Sequence, residues 1–514
     1  MRERSVEALG GVARHERVGT LVSYPLRAPL LARAAAAQPR HDVGLLHPVT
    51  GPDSPPQPPC LPPDTVCGVQ QELAKIVGAE NLRPGDDPVY TADETLFAAD
   101  GLAELVVLPG NADEVAEVVG WCCANGVAIT PRGGGSGWAG GAVPQGSGIV
   151  LCLERLTAVR SFDPLRWRIE VEAGVTTATV HRLALENGLY FPPDPGAPEQ
   201  SLIGGNVATN AGGPHCFKYG VTGSWVTGVE AVIAPGELIR VGGAARKDVA
   251  GYDLAGLLTG SEGTLGVITS VSLRLIPFPG PSLPIAAFYA DAARGCEAIE
   301  RVMAAGPVAA AIEYLDAATL AIAGGGFPGG IPAGSGFLLI VDCDSGEADR
   351  DALREAMAQE ALDEPLAFDD PGVLWRWREG LGTLVSSHLG SKISDDIAVP
   401  IDRLAEAIEG TIEIGDRHGI AACSFGHAGD GNLHSTFMLD PNDELAIRRA
   451  KAAGDELLAM AIELGGTISG EHGVGVAKNG WLHRQWREPA VRAHEAIKQA
   501  LDPKNLMNPG KKLP

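Results

Sequence analysis

The chain has 514 residues, with 64 acidic against 40 basic side chains and a formal net charge of −24 at pH 7. Its length predicts two or three domains, and its acidic balance argues against a nucleic-acid partner. No apolar stretch of about 18 residues is free of charged side chains, so a transmembrane helix is not expected.

The nine cysteines are odd in number, and no two have Cys-x-x-Cys spacing. This predicts reduced thiols in a cytoplasmic protein rather than a disulfide framework. An iron–sulfur cluster bound by this chain alone is not expected, so any one-electron carrier would be a separate molecule.

Residues 1–68 are predicted to form a disordered N-terminal extension, because they contain a Pro-rich run from Pro48 to Pro63 and lack sustained periodicity. The Arg-rich, Lys-free start is similar to a transit peptide, whereas Glu3, Glu7 and Glu16 are atypical of one. An over-long start site is the alternative.

An α/β pattern begins at residue 104 and continues to about residue 279, which bounds a first domain of residues 69–279. A short apolar strand precedes Asn111, which is predicted to cap a helix with Glu114 three residues on and Gly126 at its end. Further strands are predicted over residues 127–130, 148–153, 167–171 and 270–275, and a helix over residues 177–187.

Pro277, Pro279, Gly280 and Pro281 interrupt this pattern, so we expect a domain boundary there. Strands are predicted over residues 285–290, 308–314 and 337–342, with helical segments between them. They indicate an α+β second domain over residues 280–480. A helix over residues 488–500 and a turn-rich end form the C-terminal segment, residues 481–514.

A glycine-rich loop, Arg132-Gly133-Gly134-Gly135-Ser136-Gly137-Trp138-Ala139-Gly140-Gly141, follows the strand at 127–130. Its Gly-x-Gly-x-x-Gly spacing matches the dinucleotide fingerprint, but the residues after it cannot open the helix that a Rossmann site needs. Two interpretations stay open for the loop alone: an anion-binding nest of backbone N–H groups, or a flexible surface turn. Further runs of small residues at 204–213 and 260–268 favour a backbone pressed against a flat ligand.

Four glycine-flanked residues, His427, His434, Glu471 and His472, form the second candidate site. Two imidazoles and a carboxylate suit Zn²⁺ or a similar divalent ion and leave a coordination position open. The fourth residue, His472, is then free for proton transfer. The alternative is that these are ordinary loop and core histidines.

The glycine-rich segments come first in the chain and are followed by Gly426-His427-Ala428-Gly429-Asp430-Gly431-Asn432-Leu433-His434, Gly470-Glu471-His472-Gly473 and Asn508-Pro509-Gly510-Lys511. The order of these segments closely resembles that of the FAD-linked oxidoreductases of the vanillyl-alcohol oxidase fold. Within them the chain is similar to the D-2-hydroxyacid dehydrogenases, from about residue 69 to the C-terminus. The resemblance implies an α+β architecture, with a PCMH-type FAD-binding domain built from both chain ends and an α+β substrate-binding cap.

The resemblance also implies the site residues. FAD is then held by Arg132, Gly133, Gly134, Gly135, Ser136, Gly137, Gly140, Gly141, Pro193, Gly204, Gly205, Asn206, Thr209, Asn210, Gly212, Glu262, Gly263, Gly266, Val267, Ile268 and Asn508. His427, His434 and Glu471 hold the metal, Zn²⁺ by preference, while His472 takes the hydroxyl proton and Arg378, rather than Arg376, clamps the substrate carboxylate. Ser136 stands where some relatives attach FAD through a histidine, so the flavin is expected to be non-covalent.

The expected reaction is oxidation of a small D-2-hydroxy acid, D-lactate or glycolate, with metal-assisted loss of the hydroxyl proton and hydride transfer to flavin N5. Hydroxyglutarate-specific relatives carry a lysine where this chain has Ser394, which disfavours D-2-hydroxyglutarate unless Lys392 takes that role. Electrons would leave to a partner protein, a quinone or a cytochrome. The chain would act as a homodimer or as a subunit of a glycolate-oxidase-like complex, in the cytoplasm or at a membrane through its acceptor.

Other functions stay open from the residues alone. A flavin-free metallohydrolase needs only His427, His434 and Glu471, and a flavin-binding scaffold without turnover needs only the loops. An ether-lipid synthase-like enzyme of the same fold is a further alternative. An absorbance spectrum and its bleaching by 2-hydroxy acids separate these possibilities.

Overall fold

A computed structural model of the chain describes residues 63–95 and 101–513. The predicted N-terminal extension lies almost wholly outside these residues. Helix α1 (Pro63–Val77) nevertheless begins inside the segment predicted to be disordered up to residue 68. That end point was wrong, since the fixed φ of Pro63 suits the first turn of a helix.

A mixed four-stranded sheet forms the first part of the described chain, in the order β1-β2-β4-β3. Its further elements are β1 (Leu82–Pro84), α2 (Pro88–Thr91), β2 (Leu105–Val107), α3 (Ala112–Asn125), β3 (Ile129–Arg132) and β4 (Ile149–Cys152). The predicted cap of α3 is confirmed: Asn111 Oδ1 accepts from the N–H of Glu114 at 2.9 Å, and Gly126 ends the helix with φ 70°. The residues after β3 form no helix before β4, as the rejection of a Rossmann site requires.

An antiparallel five-stranded sheet follows, in the order β5-β6-β10-β8-β9. This part contains β5 (Val159–Asp163), β6 (Arg168–Glu172), α4 (Thr177–Leu185), β7 (Leu189–Tyr190), α5 (Ile203–Thr209), α6 (Cys216–Tyr219), β8 (Val226–Ile233), β9 (Glu237–Gly242), α7 (Leu254–Leu258), β10 (Val267–Arg274) and β11 (Ile276–Pro277). One face of the sheet packs Val171, Val229 and Val271 against α4 and α5. Strand residues on that face alternate with polar ones, as predicted for β10.

A seven-stranded antiparallel sheet forms the remainder, in the order β15-β12-β14-β13-β17-β18-β16. Its strands are β12 (Ile285–Tyr289), β13 (Ala311–Asp316), β14 (Phe337–Asp342), β15 (Leu366–Ala367), β16 (Ser391–Ala398), β17 (Ala421–His427) and β18 (Asn432–Leu439). The helices from this point of the chain onward are α8 (Ala292–Ala304), α9 (Ala317–Ala323), α10 (Glu347–Ala358), α11 (Pro371–Glu379), α12 (Leu381–Leu389), α13 (Leu404–His418), α14 (Glu444–Glu463), α15 (Leu482–Gln485) and α16 (Glu488–Leu501). Helices α8, α10, α13 and α14 share one core with the sheet, and α9, α11 and α12 share another.

The C-terminal segment returns to the first sheet. Met507 bridges Ile129 of β3 in parallel, and the Asn508 N–H donates to the Ile129 carbonyl at 2.7 Å. The C-terminal segment therefore adds to the layer that contains β3.

Most predicted elements are confirmed, with differences in the last sheet. The strand predicted over residues 308–314 lies at Ala311–Asp316, because Asp316 continues the strand and then caps α9 through Thr319. Strands β16, β17 and β18 were not predicted, since their Ser, Asp and His residues obscure the apolar alternation that marks a strand. No helix in the described part of the chain is long and apolar enough to cross a membrane.

Candidate active site

Strand register places the candidate residues on one face of the seven-stranded sheet. His427 pairs with Glu313 of β13, and His434 pairs with Phe425 of β17 and with Asp396 of β16. Directly paired residues of antiparallel strands point to the same face, as do alternate residues of one strand. Glu313, His427, His434 and Asp396 therefore share the face that α9, α11 and α12 cover.

Three potential ligand atoms converge at the end of this face. His427 Nε2 lies 3.3 Å from Glu471 Oε1 and 3.4 Å from His434 Nε2, and His434 Nε2 lies 3.5 Å from Glu471 Oε1. For ligand bonds of about 2.0–2.1 Å, a tetrahedral zinc site separates its ligand atoms by about 3.3–3.4 Å. The donor set therefore fits a divalent ion in both chemistry and spacing.

His472 lies beside this set rather than within it. Its Nε2 is 3.5 Å from Glu471 Oε1, and its ring stacks on His434 with centroids 5.2 Å apart. Asp396 Oδ2 accepts from the N–H groups of Glu471 and His472, each at 2.9 Å. This buried carboxylate fixes the loop that carries the third ligand and the candidate base.

Buried charged residues contact His427 on the Nδ1 side of its ring. Glu313 Oε1 contacts His427 Nδ1 at 2.6 Å, and Glu313 Oε2 contacts Arg378 Nη2 at 2.5 Å. Glu313 is fully buried. Burial alone would raise the pKa of this carboxyl, but Arg378 and His427 lower it below its ordinary value. A carboxylate on Nδ1 leaves the His427 Nε2 lone pair for the ligand position.

The surrounding charges also set the direction of the other pKa values. Burial favours a protonated Glu471, but the imidazoles of His427 and His472 hold its pKa well below the ordinary value. Burial and the neighbouring His427 lower the pKa of His434. Burial alone would lower the pKa of His427, but Glu313 and Glu471 raise it well above its ordinary value. The site therefore presents an ionised Glu471, a neutral His434 and a protonated His427, and a bound cation would displace the His427 proton.

The glycine loop after β3 offers free hydrogen-bond donors. The backbone N–H groups of residues 133–137 donate to no acceptor among the described residues. Gly135 has φ 67°, and a Cβ there would lie 2.0 Å from Arg132 Nη2. Arg132 itself is buried and donates to the carbonyls of Ala92 and Val89 at 2.6 and 2.7 Å, so it anchors the loop from below. Free N–H groups in a row fit a pyrophosphate.

The other glycine-rich segments meet this loop. A Cβ on Gly133 would lie 3.5 Å from the Gly205 Cα. Asn508 Nδ2 donates to the carbonyls of Gly141 and Glu262 at 3.0 and 2.6 Å. The buried Ser261 Oγ has no hydrogen-bond partner among the described residues. A cradle of small residues with unused polar groups fits FAD.

The flavin segments and the candidate metal site are joined directly. Glu262 accepts from the N–H groups of Val474 at 2.8 Å and Gly475 at 2.7 Å, just after the ligand loop. A Cβ on Gly212 would lie 2.5 Å from Glu471 Oε2, so the 204–213 run packs against a ligand. Both candidate sites therefore border one space.

The remaining predicted flavin residues have structural partners. Asn206 Nδ2 donates to Thr177 Oγ1 at 2.6 Å, and Thr209 Oγ1 donates to the Gly205 carbonyl at 3.1 Å. Asn210 Oδ1 accepts from the Gly223 N–H at 2.7 Å. The Pro193 carbonyl contacts His181 Nε2 at 2.8 Å. Gly204 is buried against Ala173, Gly263 has φ 72°, and Gly140 packs on Val476. Gly266 directly precedes β10, and Val267 and Ile268 are the first two residues of that strand. Ser136 and Gly137 complete the loop.

Two important residues escaped sequence reasoning. Glu313 and Asp396 hold the ligand residues in place, but neither has a local motif. The sequence shows the Asp395-Asp396 pair, but it does not show that Asp396 lies on a strand opposite His434. Of the two arginines of α11, Arg378 is buried toward the site whereas Arg376 is exposed.

Two protein-family models match the chain. A family model described as FAD binding domain matches residues 103–242, and one described as FAD linked oxidases, C-terminal domain, matches residues 284–512. The glycolate oxidase subunit GlcD of Bacillus subtilis is 34% identical over 86% of this chain and 96% of its own length. The chain belongs to the FAD-linked oxidase family.

Two other relatives of this FAD-linked oxidase carry different names. A D-lactate dehydrogenase of Archaeoglobus fulgidus is 36% identical over 86% of this chain and 98% of its own. A D-2-hydroxyglutarate dehydrogenase of Xanthomonas citri is 32% identical over 79% of this chain and 88% of its own. The chain is an FAD-binding oxidoreductase of the same family.

Solved structures show the fold. p-Cresol methylhydroxylase with substrate bound superposes with a TM-score of 0.71 at 17% identity, over 88% of this chain and 97% of its own. Alkyldihydroxyacetonephosphate synthase superposes with a TM-score of 0.68 at 18% identity, over 89% of this chain and 86% of its own. The predicted α+β class and PCMH-type FAD-binding fold are confirmed.

Proposed function

We propose that this oxidase converts a small D-2-hydroxy acid, D-lactate or glycolate, to the 2-oxo acid. The observation that carries the proposal is the convergence of His427, His434 and Glu471 beside the 204–213 flavin segment. A metal-ligand set next to a flavin cradle suits the oxidation of an alcohol carbon whose oxygen must lose a proton. The names of the relatives support a 2-hydroxy acid.

His427, His434 and Glu471 would hold a divalent ion, Zn²⁺ by preference, and the glycine loop would hold FAD without a covalent bond. Bound FAD would supply the hydride acceptor, and a bound ion would supply the positive charge that favours loss of the hydroxyl proton. His472 would take the hydroxyl proton at Nε2, beside Glu471, while Asp396 holds its loop. Arg378 would bind the substrate carboxylate through its free guanidinium edge, because its buried Nε has no partner among the described residues.

The electrons would pass to a separate acceptor, a partner protein, a quinone or a cytochrome. This is supported by the absence of cysteine from every group of three potential ligands within the described residues. The name of the B. subtilis relative supports a subunit of a glycolate-oxidase-like complex, with a homodimer as the alternative. The proposed compartment is the cytoplasm.

One other substrate and one other activity remain as alternatives. D-2-hydroxyglutarate is named in one relative, but Ser394 stands where such enzymes are expected to carry a lysine. An ether-lipid synthase-like activity is supported only by the fold.

Anaerobic mixing of the purified protein with D- and L-2-hydroxy acids tests the proposal. We expect D-lactate or glycolate to bleach the flavin spectrum, and acid precipitation to release the yellow colour. Bleaching by D-2-hydroxyglutarate alone would establish the alternative substrate. A colourless, metal-containing protein would indicate a hydrolase, and failure of all 2-hydroxy acids to reduce bound FAD would refute the proposal.

A further inference from the structure

Lys392 is a buried cation on the site face of the sheet. It lies on edge strand β16 and is 4% exposed. It pairs with Met438, as Ser394 pairs with Thr436 and Asp396 with His434. Strand alternation therefore directs Lys392 to the same face as the candidate metal ligands, four residues before Asp396.

Aromatic rings rather than carboxylates surround this ammonium group. Lys392 Nζ lies 5.5 Å from the centroid of the Trp138 ring and 5.9 Å from that of Phe425. Trp138 stacks on His472 with centroids 6.1 Å apart, and Phe425 lies 5.5 Å from the His434 ring. The cation therefore lies next to two rings that border the histidine pair.

The ammonium group is incompletely satisfied. It donates to the Gly382 carbonyl at 3.2 Å, and it forms no ion pair with a carboxylate among the described residues. An ammonium has three donors, so two lack an acceptor among the described residues. Burial lowers the pKa of Lys392 to about 8. A buried cation without a counter-ion is costly, which favours a site completed by an anion.

We propose that Lys392 binds the carboxylate of the 2-hydroxy acid, together with Arg378. The inference rests on the proposed function and specifies how that site recognises its substrate. Arg378 alone is an incomplete clamp, because its Nη2 already contacts Glu313. Its guanidinium carbon lies 5.4 Å from the centroid of the Phe425 ring, and Lys392 Nζ lies 5.9 Å from the same centroid, so both cations border one aromatic side chain next to His434.

The test measures substrate binding and flavin reduction separately. Anaerobic stopped-flow reduction of the FAD-loaded protein gives a Kd and a limiting rate for D-lactate and for its neutral amide, D-lactamide. In Lys392→Met we expect the Kd for D-lactate to rise about 10- to 100-fold, the loss of one charge-assisted hydrogen bond. The limiting rate should change by less than about threefold, and Lys392→Arg should recover part of the affinity.

The amide distinguishes a substrate contact from a packing effect. Lactamide has no charge for Lys392 to bind, so its Kd or reduction efficiency should be nearly the same in wild type and Lys392→Met. Equal losses for acid and amide, or an unchanged Kd for D-lactate in a variant with full flavin and metal content, would overturn the inference. Lys392→Arg provides the same readout if the methionine variant does not fold. Wild-type FAD that no 2-hydroxy acid reduces would instead refute the proposed function itself.

Discussion

Glu313→Gln should weaken metal binding although Glu313 is not one of the three ligands. The carboxylate is fully buried, 2.6 Å from His427 Nδ1 and 2.5 Å from Arg378 Nη2. Glutamine preserves the side-chain volume but removes the charge that fixes the His427 tautomer and raises its basicity. Loss of such a partner costs about 10- to 100-fold in metal affinity, or about 1.4–2.7 kcal/mol.

The same change should lower stability, because Arg378 then remains buried without its counter-ion. Breaking a buried pair by removing one partner costs about 3–5 kcal/mol. Chelator competition against the metal-loaded protein measures the affinity, and urea unfolding of the metal-free protein measures the stability. Glu406→Gln is the matched control, since its ion pair with Arg403 is exposed and contributes about 0–1 kcal/mol. Metal affinity equal to wild type in Glu313→Gln would show that Glu313 does not orient His427 for the metal.

Three further predictions concern the metal ligands and the candidate base, the arginine that would bind the substrate carboxylate, and the acidic residues around His215. His434→Ala should lose metal and activity together, whereas His472→Ala should keep metal and flavin but reduce the flavin slowly. Metal analysis and stopped-flow measurement of flavin reduction test both variants. Full metal content in His434→Ala would contradict the assignment of His434 as a ligand. Arg378→Ala should lower kcat/KM by about 10- to 150-fold, or about 1.5–3 kcal/mol, and Arg376→Ala should stay near wild type; the reverse order would show that the wrong arginine was chosen. Burial alone would lower the pKa of His215, but Asp194 and Asp342 raise it to about 10. The resulting stabilisation is fully present below the unfolded pKa of about 6.5 and is lost as the pH rises toward about 10, on the order of a few kcal/mol. Urea unfolding at pH 6.5 and pH 9.5 should show this loss in wild type and a flatter profile in His215→Asn; equal slopes would exclude the ion pairs as its cause.

Local signals were sufficient for much of the fold. Asn111, Glu114 and Gly126 define the ends of α3 because caps are short-range interactions, and the alternation in β10 follows from the period of a strand. The Rossmann alternative could be rejected because the residues after Gly141 cannot form a helix. Residue types alone also indicated a metal-ligand set at His427, His434 and Glu471, since imidazole and carboxylate chemistry does not depend on the fold.

The partners of these residues depended on the tertiary structure. Glu313 is 114 positions from His427, and the Glu262 carboxylate reaches the N–H of Val474 across 212 positions. No local pattern encodes such contacts, because they follow from sheet order. Strand register decides which side chains face the site, because a slip of one residue in β16 would turn Lys392 and Asp396 to the opposite face of the sheet. The amino-acid sequence sets which chemical groups are available, whereas the packing of β13, β16, β17 and β18 sets which of these groups come into contact.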